Sequence, residues 1–194
     1  MFPTTHDITP ANIRPSITTL NNILVAGNSV LIVSKPRVNC VNRLCDELKQ
    51  YRNQILFRFT IGSINPDVCA FWEPGAPGPD ERITALCLAK EKGYQTSVSM
   101  EPMLEGTDGA MSTYHTVEPF VTEKIWIGKM NKMRTRVDIS HPENLKAVER
   151  LEQFQRDEEI LRLVCALSDE SKVQWKDSIK SIIAKYSSRN EAIG

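Results

Sequence analysis

Four short runs of mostly apolar or β-prone residues constrain the fold more than any other feature of this sequence. They are Val30–Ser34, Ile55–Ile61, Thr96–Met100 and Lys124–Gly128. A short apolar run bounded by turn residues, as in the first of them, is typical of a strand buried on both faces of a parallel sheet. The intervals between the runs leave room for a helix. The sequence therefore predicts repeated strand–helix units.

Apolar residues at intervals of three and four indicate the helices themselves. One such face follows the first run and consists of Val38, Val41, Leu44, Cys45 and Leu48. A helix ahead of that run has Pro15 in its first turn and Gly27 after its end. Another opens at Pro79 and ends at Gly93. The alternation predicts an α/β fold.

The pattern changes after the fourth run. Ser140 to Glu143 fits a capping box, and helix-prone sequence then continues over residues 146–185 without a convincing strand, with breaks at Asp157 and Ser168–Asp169. We therefore predict two parts, a strand–helix domain over residues 1–137 and a helical C-terminal extension over residues 138–194 that packs on it.

Parallel strands joined by helices form either a closed barrel or an open doubly wound sheet. The sequence lacks the glycine fingerprint of a dinucleotide site and lacks a phosphate-binding loop, which favours the barrel. Thr4–Asp7 is interpreted as the bare end of an earlier strand. We therefore expect a partial (β/α) barrel that begins in mid-fold.

Composition narrows the classes of function. Lys+Arg and Asp+Glu are equal at 24 each, so charge does not imply nucleic acid as a partner. No apolar run reaches the roughly 18–20 residues of a membrane span, and the amino terminus lacks the regions of a signal peptide, so we expect a cytoplasmic protein. The 5 cysteines lack the close spacing of a metal site, so we predict no metal ligands and mostly buried, reduced thiols.

A barrel carries its site at the carboxyl ends of the strands, and every predicted strand end offers polar residues. The candidates are Thr5, His6, Asp7, Lys35, Arg58, Thr60, Glu101, Lys129 and Asn131. Each position also has a structural interpretation. Lys35 and Lys129 would then be solvated loop lysines, and Glu101 a loop residue.

Arg58 and the pair His6 and Asp7 each have two specific interpretations. Arg58 lies inside an apolar strand, where a guanidinium needs a carboxylate or phosphate partner, unless it occupies the exposed position of an edge strand. His6 and Asp7 are either a base with its orienting carboxylate or a polar turn leading to Pro10.

Taken together, the strand ends resemble radical S-adenosylmethionine (SAM) proteins of the spore photoproduct lyase-like group. The resemblance spans residues 1–137, and the Glu-Pro-Gly segment is its most specific part. It is carried by Thr5–Asp7, Val33–Lys35, Phe57–Ser63, Phe71–Pro77, Glu81–Arg82, Met100–Pro102 and Trp126–Asn131.

The resemblance implies a partial barrel that binds SAM and a four-iron four-sulfur cluster and removes a substrate hydrogen by a radical. It implies SAM-binding roles for Thr5, His6, Lys35, Arg58, Thr60 and Glu101, and substrate-side roles for Asp7, Lys129 and Asn131. The family's Cys-x-x-x-Cys-x-x-Cys loop is absent from this sequence. We therefore expect the cluster only in a complete protein with a preceding segment, and this chain alone to be inactive. Glu73 is assigned a structural role in the turn before the next helix.

Three functions follow as hypotheses. The first is the C-terminal portion of a radical SAM enzyme core that acts on an unknown substrate. The second is a non-catalytic remnant or interaction module, whose unpaired strand edge takes the missing N-terminal part or a partner chain. The third is a barrel enzyme with Lys35 or Lys129 as a Schiff-base lysine. The basic segment at residues 129–136 is either an anion-binding site or a solvated loop.

Overall fold

The computed structural model describes residues 1–191 and contains one parallel sheet of five strands in chain order. The strands are β1 (Val30–Ser34), β2 (Ile55–Thr60), β3 (Gln95–Met100), β4 (Ile125–Ile127) and β5 (Val173–Trp175). The α/β class, the parallel sheet and the four strands expected from the apolar runs are confirmed.

Helices follow every strand. The α-helices are α1 (Ile13–Val25), α2 (Val38–Glu47), α3 (Pro66–Trp72), α4 (Pro79–Glu91), α5 (Thr107–Val117), α6 (Met133–Arg136), α7 (Pro142–Phe154), α8 (Asp157–Ala166) and α9 (Asp177–Glu191). Short 3₁₀ helices lie at Lys49–Gln54 and Glu118–Phe120. Within residues 1–191, none of these helices combines the length and the apolar character needed to cross a membrane.

A sixth backbone segment lies beside β1. Phe2 forms an isolated parallel bridge with Ile32, in which the Phe2 N–H donates to the Leu31 carbonyl at 2.8 Å and the Phe2 carbonyl accepts from the Val33 N–H at 2.9 Å. The strand pairing expected near the amino terminus is therefore present. It lies at Phe2, whereas residues 4–6 form a bend.

The hydrophobic core lies on one side of the sheet. Ile55, Phe57 and Phe59 of β2 are at most 1% exposed and belong to the core that the helices share. The alternate residues of β2 are half-buried and lie outside that core. Paired residues of parallel strands share a face, so the register extends this second surface across the sheet. We call it the open face, formed by Leu31, Val33, Leu56, Arg58, Thr60, Ser97, Ser99, Trp126 and Gln174.

The helices form a row against the core side. α1 contacts α2, α2 contacts α4, α5 contacts α8, and α8 contacts α9, while apolar residues of all six helices join the same core. A doubly wound sheet reverses its strand order and carries helices on both faces. The sequential strand order and the one-sided core exclude that arrangement for residues 1–191.

The C-terminal part differs from its prediction in two ways. The expectation of no strand there was wrong, because β5 pairs with β4 and the Ile125 N–H donates to the Lys172 carbonyl at 2.8 Å. The prediction of a capping box at Ser140 was also wrong, because Ser140 forms hydrogen bonds with the Asp138 carboxylate and α7 begins after His141. The helix start at Asp157 and the break after α8 are confirmed. The division at residue 137 stays a prediction.

A second, small hydrophobic cluster packs α7 against the segments at the carboxyl edge of the sheet. Val148 and Leu151 of α7 pack with Met133, and Trp72 and Met130 lie against them. Gln155, only 1% exposed, accepts from the Met130 N–H at 3.0 Å and donates to the Met103 carbonyl at 2.9 Å. This part of the chain therefore fixes the segments that follow β3 and β4.

Thiol reactivity tests the burial of the cysteines. Cys40, Cys45 and Cys69 are buried, Cys165 is exposed, and burial raises the pKa of Cys45 to about 12. Because the thiolate is the nucleophile, we expect iodoacetamide at pH 8 to alkylate Cys165 first and Cys45 only on unfolding. Peptide mapping by mass spectrometry measures both rates. Equal rates at these two residues would contradict the packing of α2 against the core.

Candidate functional site at the carboxyl edge of the sheet

The carboxyl ends of the strands border an open cleft of about 450 Å³. We call it the edge cleft. It is lined by Asp7, Thr9, Lys35, Arg37, Trp72, Glu73, the loop at residues 74–77, Pro102, Leu104 and Met130. Ligand sites in parallel α/β sheets are commonly built at this edge, so the location agrees with the sequence-based expectation.

Lys35 lies directly after β1, between two carboxylates. Its Nζ is 3.8 Å from Asp7 Oδ2 and 3.6 Å from Glu73 Oε1, beyond hydrogen-bond length in both cases. Asp7 is held through its other oxygen, which accepts from the Lys35 N–H at 2.7 Å and from the Ser34 hydroxyl at 3.2 Å. The ammonium is thus positioned by charge while its N–H donors are left for another acceptor.

Glu73 is fixed from the opposite side by Arg82 of α4. The Arg82 side chain is 1% exposed, and its Nη1 lies 2.6 Å from Glu73 Oε2, an ion-pair contact without hydrogen-bond alignment. Arg82 also donates from Nε to the Pro77 carbonyl at 2.7 Å and from Nη1 to the Thr60 carbonyl at 3.1 Å. One buried guanidinium therefore joins β2, α4 and the cleft loop.

Local sequence explains how β2 leads into this arrangement. A Cβ at Gly62 would lie 2.4 Å from the Pro102 carbonyl oxygen, so only glycine permits β2 and the segment after β3 to approach so closely. Asn65 then caps α3 by accepting from the Asp67 and Val68 N–H groups, and Pro66 occupies the first helical position. α3 ends at Trp72, which places Glu73 in the cleft.

Arg58 lies on the open face and is not among the residues that line the edge cleft. Its Nε donates to Ser97 Oγ at 3.1 Å, and its Cζ lies 4.8 Å from the centre of the Trp126 ring. The interpretation of Arg58 as an edge-strand residue was wrong, because β2 pairs with both β1 and β3. Desolvation lowers the pKa of Arg58.

Glu101 forms the rim of the open face with Lys176. Lys176 Nζ is 2.8 Å from Glu101 Oε2 and 5.4 Å from the centre of the Trp126 ring. Gly128 makes room for the pair, since a Cβ there would meet Glu101 and Lys176 atoms at 3.0 Å.

The structure divides the predicted site residues into three sets. Lys35 and Asp7 line the edge cleft, and Arg58, Thr60 and Glu101 belong to the open face or its rim. The others contribute side chains to neither surface, namely Thr5, His6, Lys129 and Asn131.

Within that last set, Thr5 and His6 are exposed, with Thr5 Oγ1 and His6 Nδ1 3.4 Å apart. Asp7 bonds to the end of β1 instead of orienting His6, so the geometry of a base with its carboxylate is absent from the described residues. The Lys129 N–H donates to Ser178 Oγ at 3.0 Å, and Asn131 is exposed.

Sequence reasoning assigned no functional role to Arg82, Trp126 or Lys176. Arg82 lies in a charged stretch of an amphipathic helix, which gives no sign that its side chain is buried. Trp126 was included only as part of a motif, although an aromatic residue at the open-face position of a parallel strand is a detectable signal. Lys176 follows the strand that the sequence did not predict.

The next feature is the distribution of possible metal ligands in the described part of the chain. Within residues 1–191, no group of three or more His, Cys, Asp and Glu side chains could hold a metal ion. The buried thiols lie on α2 and α3, inside the packed structure. These residues do not fit a four-iron four-sulfur cluster.

No family model and no solved structure matches the chain. An uncharacterized protein, ORF301 of Acidianus two-tailed virus, is 31% identical over 104 residues, which is 53% of this chain and 34% of the viral protein. The chain therefore matches about a third of that relative's length.

Proposed function

We propose that the edge cleft binds a small zwitterionic ligand, and that this ligand is SAM. The observation that carries the proposal is Lys35, held 3.6–3.8 Å from two carboxylates at the carboxyl edge of a parallel sheet. An ammonium beside carboxylates matches the carboxylate and amino groups of an amino acid. SAM is chosen among such ligands because the strand ends resemble those of radical SAM proteins.

In this proposal, residues 1–137 form part of a (β/α) barrel. The sequential parallel order and the single row of helices support an arc of a barrel. Membership of the spore photoproduct lyase-like group is supported by the sequence motifs alone. A complete radical enzyme would need its cluster from residues outside this chain.

Each charged group of the cleft has a role toward the ligand. Lys35 would donate to the ligand carboxylate, and Asp7 and Glu73 would accept from its amino group. Arg82 would keep Glu73 oriented without touching the ligand. When bound, SAM supplies an electrophilic sulfonium centre, whose positive charge the two carboxylates would also favour.

Binding of SAM to the full chain tests this proposal by isothermal titration calorimetry. We expect saturable binding to the wild type and a dissociation constant at least about 10-fold higher for Lys35→Met, which loses a charged donor. Lys49→Met is the matched control, because Lys49 is exposed and away from the cleft. Equal affinity in Lys35→Met, or no binding by the wild type, would contradict the proposal.

A second candidate function is a non-catalytic interaction module. One observation that favours it is the outer edge of β1, where Phe2 provides the one backbone pairing among the described residues. The other is the open face, which lies outside the hydrophobic core, whereas parallel sheets are usually covered on both faces. The same titration separates the candidates, because this one predicts no heat with SAM. It also predicts self-association, visible as a concentration-dependent rise in sedimentation coefficient.

A further inference from the structure

The open face displays hydrogen-bond donors that have no acceptor among the described residues. Arg58 uses its Nε for Ser97, and its terminal nitrogens have no hydrogen-bond or ion-pair partner within the described residues. The Trp126 Nε1 is buried and also lacks a partner there. Buried polar groups are nearly always satisfied, so an indole N–H of this kind points to an acceptor from outside the chain.

Two hydroxyls extend this set of donors. Thr60 and Ser99 are direct neighbours in the register of β2 and β3, and neither side chain forms a hydrogen bond within residues 1–191. Ser99 is in turn the neighbour of Trp126 on β4. Adjacent strands are about 4.8 Å apart, so these three residues form a row that crosses about 10 Å of the sheet.

Small side chains at the centre of the sheet let Arg58 reach this row. Ser97 accepts from Arg58 Nε at 3.1 Å while donating to the Lys124 carbonyl at 2.6 Å. The guanidinium thereby crosses β3 and lies over Trp126 of β4. Its position is fixed by a hydroxyl and an aromatic ring, neither of which neutralises its charge.

The nearby rim charges are already paired. Glu101 and Lys176 are 2.8 Å apart and neutralise each other, which leaves the Arg58 charge uncompensated beside the row of donors. A half-buried guanidinium usually has a carboxylate or phosphate partner, because desolvation without one is costly.

We propose that the open face binds an oxyanion, a carboxylate or phosphate group of a small ligand, between Arg58 and the hydroxyls of Thr60 and Ser99. The planar guanidinium presents two parallel N–H donors to such a group, and each hydroxyl adds one donor. Its residues are not among those that line the edge cleft, and the proposal does not rest on SAM binding. It assigns the open face to the anionic part of a substrate.

The test uses the ¹⁵N-labelled full chain, with the indole N–H signal of Trp126 as the reporter. Its assignment comes from the loss of that signal in Trp126→Phe. Inorganic phosphate, acetate and chloride are titrated separately at constant ionic strength, which removes general screening. We expect a saturable shift with phosphate or acetate and none with chloride. The more effective of the two identifies the class of oxyanion.

Variants locate the site. Arg58→Gln should raise the dissociation constant at least about 10-fold, because it removes a charged bidentate donor. Arg43→Gln, which alters an arginine of α2 that is paired with Glu47, should leave the dissociation constant within about twofold of the wild-type value. Ser99→Ala should raise it about 5-fold and serves as the second test if far-ultraviolet circular dichroism shows that Arg58→Gln is unfolded.

The proposal is overturned by the absence of a saturable shift in the wild type, by an equal response to chloride, or by unchanged affinity in Arg58→Gln and Ser99→Ala. Failure of SAM to bind the edge cleft leaves these outcomes unaffected. The two proposals are therefore tested independently.

Discussion

Replacing Arg82 by methionine is expected to lower the free energy of unfolding by about 3–5 kcal/mol, the cost of breaking a buried ion pair. The substitution removes the nearer of two cations beside Glu73, whose side chain is 10% exposed, and leaves it only the Lys35 ammonium at 3.6 Å within the described residues. It also removes the donors to the Thr60 and Pro77 carbonyls. Urea unfolding followed by circular dichroism at pH 7 measures the change.

Two further variants show whether burial causes this loss. Arg43→Met removes the ion pair between Arg43 and Glu47, whose side chains are 41% and 43% exposed, and should change stability by about 0.5 kcal/mol or less. The double variant Arg82→Met with Glu73→Gln should recover part of the loss, because it also removes the carboxylate that has lost its Arg82 partner. A change below about 1 kcal/mol in Arg82→Met would contradict a structural role for the buried pair.

Truncating Phe57 to alanine should cost about 3–5 kcal/mol, the range for a fully buried phenylalanine. Phe57 is 0% exposed on the core side of β2. The centre of its ring lies 5.4 Å from the ring centre of Phe59 and 5.3 Å from that of Tyr94. The residual cavity cannot collapse easily, because the sheet and the helices enclose it from both sides. The same urea unfolding experiment measures the loss.

Leu56→Ala is the matched control, one residue away on the same strand. Leu56 lies on the open face and is half-buried, so we expect a loss of about 1 kcal/mol or less. Similar losses for Leu56→Ala and Phe57→Ala would show that both faces of the sheet are packed. That result would contradict the one-sided core, and with it the open face as a binding surface.

Much of the fold could be predicted from the sequence because its main strands are short runs with distinct boundaries. Val30–Ser34 and Ile55–Thr60 are readable from hydrophobicity alone, and Pro79 and Gly93 mark the limits of α4. β5 could not be found in this way, since its three residues are half-buried and pair only because β4 lies beside them. Whether such a segment forms a strand depends on its tertiary pairing and not on its own sequence.

The candidate sites were predictable only in part, for a related physical reason. Strand ends identify Lys35 and Asp7, because parallel strands bring their carboxyl ends to one edge. The sequence does not show that Arg82 is buried or that it orients Glu73, since both effects depend on how α4 packs against β2. It also does not show which residues line the edge cleft, because the cleft depends on where the loop at residues 74–77 lies against the sheet.

Amide chemical-shift mapping with SAM tests the central claim, that the edge cleft is a ligand site, most directly. The full ¹⁵N-labelled chain is titrated with SAM, and the shifts are mapped on the structure. We predict saturable shifts concentrated at Lys35, Glu73, Gly75 and Ala76. An absence of saturable shifts, or shifts confined to regions outside the edge cleft, would contradict the account.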